Sequence, residues 1–414
     1  TNPESGTATY AYDNNGNVTN VYDGRTVSGG GQNVVYRTYD ALNRVTVKAH
    51  NDGSTPDVNY IYDDTGVTYS KGRLTQVSAG SVSTTRYSSY DALGRVTGSR
   101  QTTGSQTYTF SYSYNRADAL LSETYPSGRT INFTYDGANR PVLVRGTLSS
   151  QTKDYLTGVT YFPHGAESSY SLGNHLNDAF AYNSRLQMMA QTFGNANWTW
   201  YLMALWYDYG TTTNNGNVLV AGNDVYPPTQ TVNRARYTVN YSYDAVNRVA
   251  TAAEGSSWTR NFSYDAYGNM WVSGYTGIGV AGNTPVSNVF GNNRIGGGSY
   301  DVAGNQTVVN GDTITYDGEG RQTVATQSGV GTATYSYDGD GKRVQRVING
   351  STTVYVYDAN GLLTAEYSTT APPTPACTTC FPATDALGSI RMVTDQNANI
   401  VARHDYLPFG EEVP

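Results

Sequence analysis

Few side chains in this 414-residue chain could do chemistry. Cys377 and Cys380 are its only cysteines and stand in a C-x-x-C spacing within a Pro-rich stretch. That spacing suits half a zinc site, a redox pair or a short disulfide loop. A zinc site needs two further ligands, yet His50, His164, His175 and His404 are scattered without ligand spacing. A redox pair belongs at a strand-to-helix junction, and no helical pattern follows here. A local disulfide clip fits better, with two free thiols as the plainer alternative. Asp338-Gly339-Asp340-Gly341 has the start of a calcium loop but not its later ligands or closing Glu, and reads as a hairpin turn. Gly-x-Ser-x-Gly, phosphate-loop and His-Glu-x-x-His patterns are absent from the sequence. The expectation is a chain with no catalytic residue, no cofactor and no metal.

The acidic residues have a different logic, because 13 of the 33 recur at one place in a repeat. Tyr-Asp occurs 13 times, and in 11 of these copies the fourth residue after the tyrosine is Gly or Asn. Examples are Tyr39-Asp40 with Asn43, Tyr90-Asp91 with Gly94 and Arg95, Tyr243-Asp244 with Asn247, and Tyr337-Asp338 with Gly341. Asp can bond the backbone two residues on and start a turn. Gly and Asn tolerate left-handed backbone best. The unit therefore predicts a type I turn closing on a left-handed residue, a common hairpin loop. Strict alternation precedes the turn, as in Tyr108-Thr109-Phe110-Ser111-Tyr112-Ser113-Tyr114, and Arg-Val-Thr or Arg-Val-Ala follows it. Period-two alternation is the mark of a half-buried strand. Each repeat is thus a strand, a tight turn and a return strand. A lone hairpin is marginal in water, so stability must come from stacking neighbours over a shared aromatic face.

Composition agrees with an all-β reading. The chain holds 37 Tyr and 45 Gly against 5 Met, and only 14% charged residues, well below the roughly 25% of an ordinary soluble domain. A net charge of -7 without basic runs argues against nucleic acid. The longest apolar stretch, 198–207, is far short of the ~20 residues of a membrane helix. The bias toward Asn, Ser, Thr, Gly and Tyr suits an extracellular or cell-surface protein. Thr1 begins in mid-pattern, as in an internal or processed piece.

The signature Tyr-Asp-x-x-Gly-Arg-Val at 90–96, repeated with Asn at 39–45 and 243–249, resembles the YD repeat of Rhs proteins. Related repeats occur in the C component of insecticidal Tc toxins and in teneurins. Near the C-terminus, Asp385, Gly388 and Arg391, followed by Pro408-Phe409-Gly410, are similar to the start of the Rhs-associated core. The resemblance implies a coiled sheet of stacked β-hairpins, here an arc or part of a hollow shell or barrel. It also implies a variable C-terminal domain, often a toxin, as the shell's own partner. In family members with aspartyl self-cleavage, that site would fall beyond Pro414.

Five segments are expected. They are a repeat array at 1–145, degenerate repeats or an insertion at 146–235, a second array at 236–370, a Pro-rich linker at 371–382, and the core-like segment at 383–414. The middle segment holds Met188, Met189, Met203, Trp198, Trp200, Trp206 and Pro227-Pro228. The leading reading of function is a non-catalytic extracellular scaffold or encapsulating shell in toxin delivery or cell contact. Alternatives are an extracellular filament whose sheet edges self-associate, and an adhesin that binds glycans through exposed Tyr, Trp and Asn.

Overall fold

A computed structural model describes residues 2, 4–212, 214–226, 235–282, 284–370 and 376–413. Pro227-Pro228 and the first five residues of the expected linker, 371–375, lie outside the described residues. Every regular element among the described residues is a β-strand, and every strand pairing is antiparallel.

The chain divides into two compact units. The first comprises 1–129 and 290–373, and the second 130–289 and 374–414. Each therefore joins a long stretch of hairpins to a later stretch of the same kind.

In the first unit, strands from Thr9–Tyr12 to Leu120–Thr124 pair with their sequence neighbours as a meander. A second meander runs from Ser299–Tyr300 to Leu363–Ser368. Alternation decides which residues face inward. Tyr108, Phe110 and Tyr112 are buried while Thr107, Thr109, Ser111 and Ser113 are exposed. These aromatics pack against Val356 and Ala365 of the second meander. Val58, Val77 and Ala79 form a smaller core beside them.

The second unit repeats the arrangement. Strands from Thr130–Tyr135 to Met270–Thr276 form the meander, and Phe381–Thr384, Ile390–Thr394 and Ile400–Arg403 form a separate three-stranded sheet. Leu176, Phe193, Leu202, Met203 and Leu205 make one core with Ala383 and Met392 from that sheet. A second core joins Ala252, Trp258, Phe262 and Val272 to Leu407. The stretch 146–235 contributes paired strands throughout its described part, among them Gln151–Tyr161, Met188–Asn195 and Tyr201–Asp208. Trp198 lies in the turn before Tyr201, with φ +54°, and not in a strand. Phe381 and Pro382, which composition places in the linker, open a strand instead.

Candidate functional site

The repeated turn is a polar arrangement that recurs along the described residues. Ten of the 11 Tyr-Asp copies with Gly or Asn at the fourth position close in the same way: Asp13, Asp40, Asp91, Asp136, Asp244, Asp265, Asp301, Asp317, Asp338 and Asp358. In the Asp40 copy, the Asn43 amide donates to the Asp40 carbonyl at 3.0 Å and the Asp40 amide to the Arg44 carbonyl at 3.0 Å. Asn43 takes φ +60°, and Gly94, Asn247 and Gly341 likewise take positive φ in theirs. One Asp40 carboxylate oxygen accepts the Leu42 and Arg44 amides, and the other accepts Arg44 Nε at 2.7 Å. The same carboxylate pattern serves Asp91 with Arg95 and Asp244 with Arg248. Bonds from the Arg44 amide and guanidinium hold the Asp40 carboxyl below its ordinary range.

The same arginines tie one repeat to the next. Arg44 stacks over Tyr62 at 4.3 Å, Arg95 over Tyr114 at 4.7 Å and Arg248 over Tyr264 at 4.3 Å. The tyrosine hydroxyl then donates to a backbone carbonyl of the preceding repeat. Tyr39 reaches Val18, Tyr243 reaches Val218 and Tyr337 reaches Gln322, at 2.6–2.7 Å. Tyr90 makes the equivalent bond to Leu74. This answers how a tyrosine-rich core satisfies its hydroxyls. The remaining copies depart from the turn. Tyr22-Asp23 lies within strand Val18–Thr26. Asp63 opens a longer loop closed by its amide on the Arg73 carbonyl. Asp208 closes on Leu219.

Several turns of the second meander in the first unit are docked into the first meander. Arg25 donates to the Asp317 and Gly318 carbonyls at 2.7 and 2.8 Å, and the Gly318 amide donates to Thr55 Oγ1 at 2.7 Å. Burial would raise the Glu319 carboxyl, but bonds from His50 and Lys48 outweigh it and hold it near about 2. Gly339 sits against Val58 and Val77, where a Cβ would collide with both. The Asp338-Gly339-Asp340-Gly341 stretch is therefore a docked turn. Ala359 donates its amide to the Tyr112 hydroxyl at 2.9 Å, and Gln101 brackets Tyr355 and Tyr357.

In the second unit the core-like motif is docked similarly. Arg391 Nε bonds Asp385 at 2.9 Å and its other arm pairs with Asp405. Gly388 takes φ +83° and closes the Asp385 turn. Pro408, Phe409 and Gly410 lie in a turn that sequence reasoning missed. The Gly410 amide donates to Leu407, Gly410 has φ +87°, and Phe409 meets Phe262 edge-on at 4.9 Å. The signal was present, because Gly410 is the fourth residue after Tyr406; Leu407 in place of Asp hid it. Cys377 and Cys380 are joined as a disulfide. A cavity of about 500 Å³ opens beside this segment, lined among others by Tyr237, Glu254, Trp258 and His404. Among its polar groups, Trp258 Nε1 pairs with Glu254 at 2.9 Å and His404 with Glu412 at 2.6 Å. Among the described residues no cluster of His, Cys, Asp or Glu could hold a metal, and no helix is long and apolar enough to cross a membrane.

Comparison with known proteins follows the same lines. The RHS Repeat family model matches residues 114–149. No curated protein sequence matches the chain. Among solved structures, the Photorhabdus luminescens Tc holotoxin pore carrying a TccC3 mutation is similar, with TM-score 0.79 and 15% identity, covering 99% of this chain and 24% of that one. The TcdB2-TccC3 crystal structure gives TM-score 0.78 at 15% identity, covering 99% and 25%. TcdB2-TccC3 without its hypervariable C-terminal region gives 0.77 at 15%, covering 99% and 24%. This chain thus spans about a quarter of the length of the solved chains it matches. The chain thus carries an RHS repeat at 114–149 and shares the fold of these Tc toxin chains.

Proposed function

We propose that this chain is a non-catalytic wall segment of a longer Rhs-type protein that encloses cargo outside the cell, in toxin delivery or cell contact. The observation that supports this reading is the repeat-to-repeat lock. Asp91 fixes the turn, Arg95 reaches Tyr114 of the next repeat, and the Tyr114 hydroxyl donates back to the Val96 carbonyl of the preceding one. Such a device lengthens a sheet repeat by repeat, with stability summed over neighbours. The solved relatives are toxin chains, one of them described as lacking a hypervariable C-terminal region. A variable domain C-terminal to this segment is accordingly the proposed partner and cargo. The segmentation into arrays, linker and core-like piece carries over as part of the proposal.

Electron microscopy of the full-length protein, with limited proteolysis, tests the reading. Hollow particles that shield the C-terminal domain from protease are expected. Open filaments would overturn it in favour of an extracellular polymer joined through sheet edges. Particles with a freely digested C-terminal domain would remove the enclosing role.

A further inference from the structure

The last docked turn of the first unit differs from the others in its charges. Leu362 stands where Arg44, Arg95, Arg248 and Arg321 stand in their copies, so no motif guanidinium reaches the Asp358 carboxylate. Asp358 is 7% exposed and spends one oxygen on the Asn360 and Leu362 amides. The Asp358 charge acts on Glu123, which is 5% exposed with Oε1 buried and without a hydrogen-bond partner. Glu123 is the cross-strand partner of Tyr112, whose hydroxyl receives the Ala359 amide. The titratable groups around Glu123 are Tyr112, Tyr114 and Tyr125 of the first meander and Asp358 of the docked turn. Tyr125 shares a hydrogen bond with it, and the Arg129 charge acts on Tyr125.

A buried carboxylate with an unpartnered oxygen is costly to keep ionised. A proton on Glu123 removes that cost and gives the carboxyl a hydrogen to donate. We propose that Glu123, set opposite Tyr112 under the docked turn, is a proton-binding site that couples protonation to seating of the 358–361 turn. With the proton bound the turn is seated; with Glu123 ionised it loosens from Tyr112 and Gln101.

The sign follows from Glu123. Burial first, and the Asp358 charge second, push its carboxyl up to about 7. A folded-state value above the unfolded one gives stability that is present in full below the ordinary Glu value of about 4.3 and lost as pH rises through about 7.

Hydrogen exchange of the 414-residue chain at pH 6 and pH 8, corrected for intrinsic rates, tests the site. Amides of 357–362 should be about tenfold better protected at pH 6, the change that one unit of pKa shift carries. Glu123→Gln should give strong protection at both values. Asp358→Asn should shrink the difference while keeping the turn, since burial still raises the Glu123 carboxyl and Asn115 makes the same amide bonds in its own copy. Equal protection of the wild-type segment at both values would overturn the proposal, as would a wild-type difference that survives in Glu123→Gln.

Discussion

The first unit uses one turn in two ways. The Asp40 and Asp91 turns end in open tips, with Leu42 and Leu93 about 70% exposed. The Asp317 and Asp338 turns end in buried tips, with both aspartates under 7% exposed. Backbone closure is the same in all four, within 0.3 Å at each bond. The difference lies in the two residues after Asp. At 41–42 and 92–93 Ala-Leu leaves the leucine in solvent, whereas Gly-Glu at 318–319 and Gly-Asp at 339–340 bring bare backbone against a sheet face. Local chemistry thus makes the turn, and side-chain size together with a receptive partner decides whether it becomes a fastener. One contrast is also electrostatic. Bonds from Arg44 lower the Asp40 carboxyl, while burial raises that of Asp338.

The largest break in this comparison should come from removing the carboxylate under a buried tip. Asp317 accepts the Glu319 and Arg321 amides at 2.9 Å and Arg321 Nε at 2.7 Å. Asp317→Ala leaves these donors buried and unpaired, which costs roughly 3 kcal/mol. Asp40→Ala removes the same bonds at an open tip, where water replaces them, and should cost clearly less. Urea unfolding of the two variants measures the gap; equal losses would mean that docking adds nothing to the turn.

Next comes steric access. Gly339→Ala drives a methyl into Val58 and Val77, an overpacking worth about 2 kcal/mol. Leu93→Ala at an open tip should stay within about 0.5 kcal/mol of wild type. Thermal unfolding of both is the check, and a harmless Gly339→Ala would show that the tip is not seated against those valines.

These cases mark how far the sequence could be read. Asp and Gly or Asn act within five residues, so turn geometry followed from spacing alone at Asp40, Asp91, Asp244 and Asp338. Alternation gave the inward faces of strands such as Gln106–Tyr114 for the same reason. Docking pairs residues far apart in sequence, such as Gln101 with Tyr355 at a separation of 254, and no local pattern encodes it. Tyr62-Asp63 kept the spacing with Gly66, yet Asp63 itself takes φ +59° and the loop runs on to Arg73. Phe381 and Pro382 carried a linker composition but join a strand because Phe381 is buried in the fold, at 4% exposure.

The repeat-to-repeat tie should be weaker than the docking contacts. Tyr337→Phe removes one hydroxyl bond, to the Gln322 carbonyl at 2.6 Å, and keeps the ring beneath Arg321 at 5.0 Å. A loss of about 1 kcal/mol is expected in chemical denaturation. A loss several times larger would place the hydroxyl, and not the ring, at the centre of the lock.

The smallest effect is the most diagnostic, because its sign differs between the two kinds of turn. Asp40 has a lowered carboxyl, so its contribution is present above the ordinary Asp range and lost as pH falls through the folded value. Asp338 has a raised carboxyl, so protonation favours the fold; that stability is present below the ordinary value and lost as pH rises through the folded one. Replacement by Asn keeps the amide bonds, as Asn115 and Asn183 do in their own turns, and removes the titration. Asp40→Asn should therefore flatten the loss of stability on acidification, and Asp338→Asn should flatten a gain. Stability measured across pH 3 to 7 for both variants distinguishes the cases. Parallel curves would mean that the docked carboxylate is solvated like the free one, and that burial of the tip stops short of its charge.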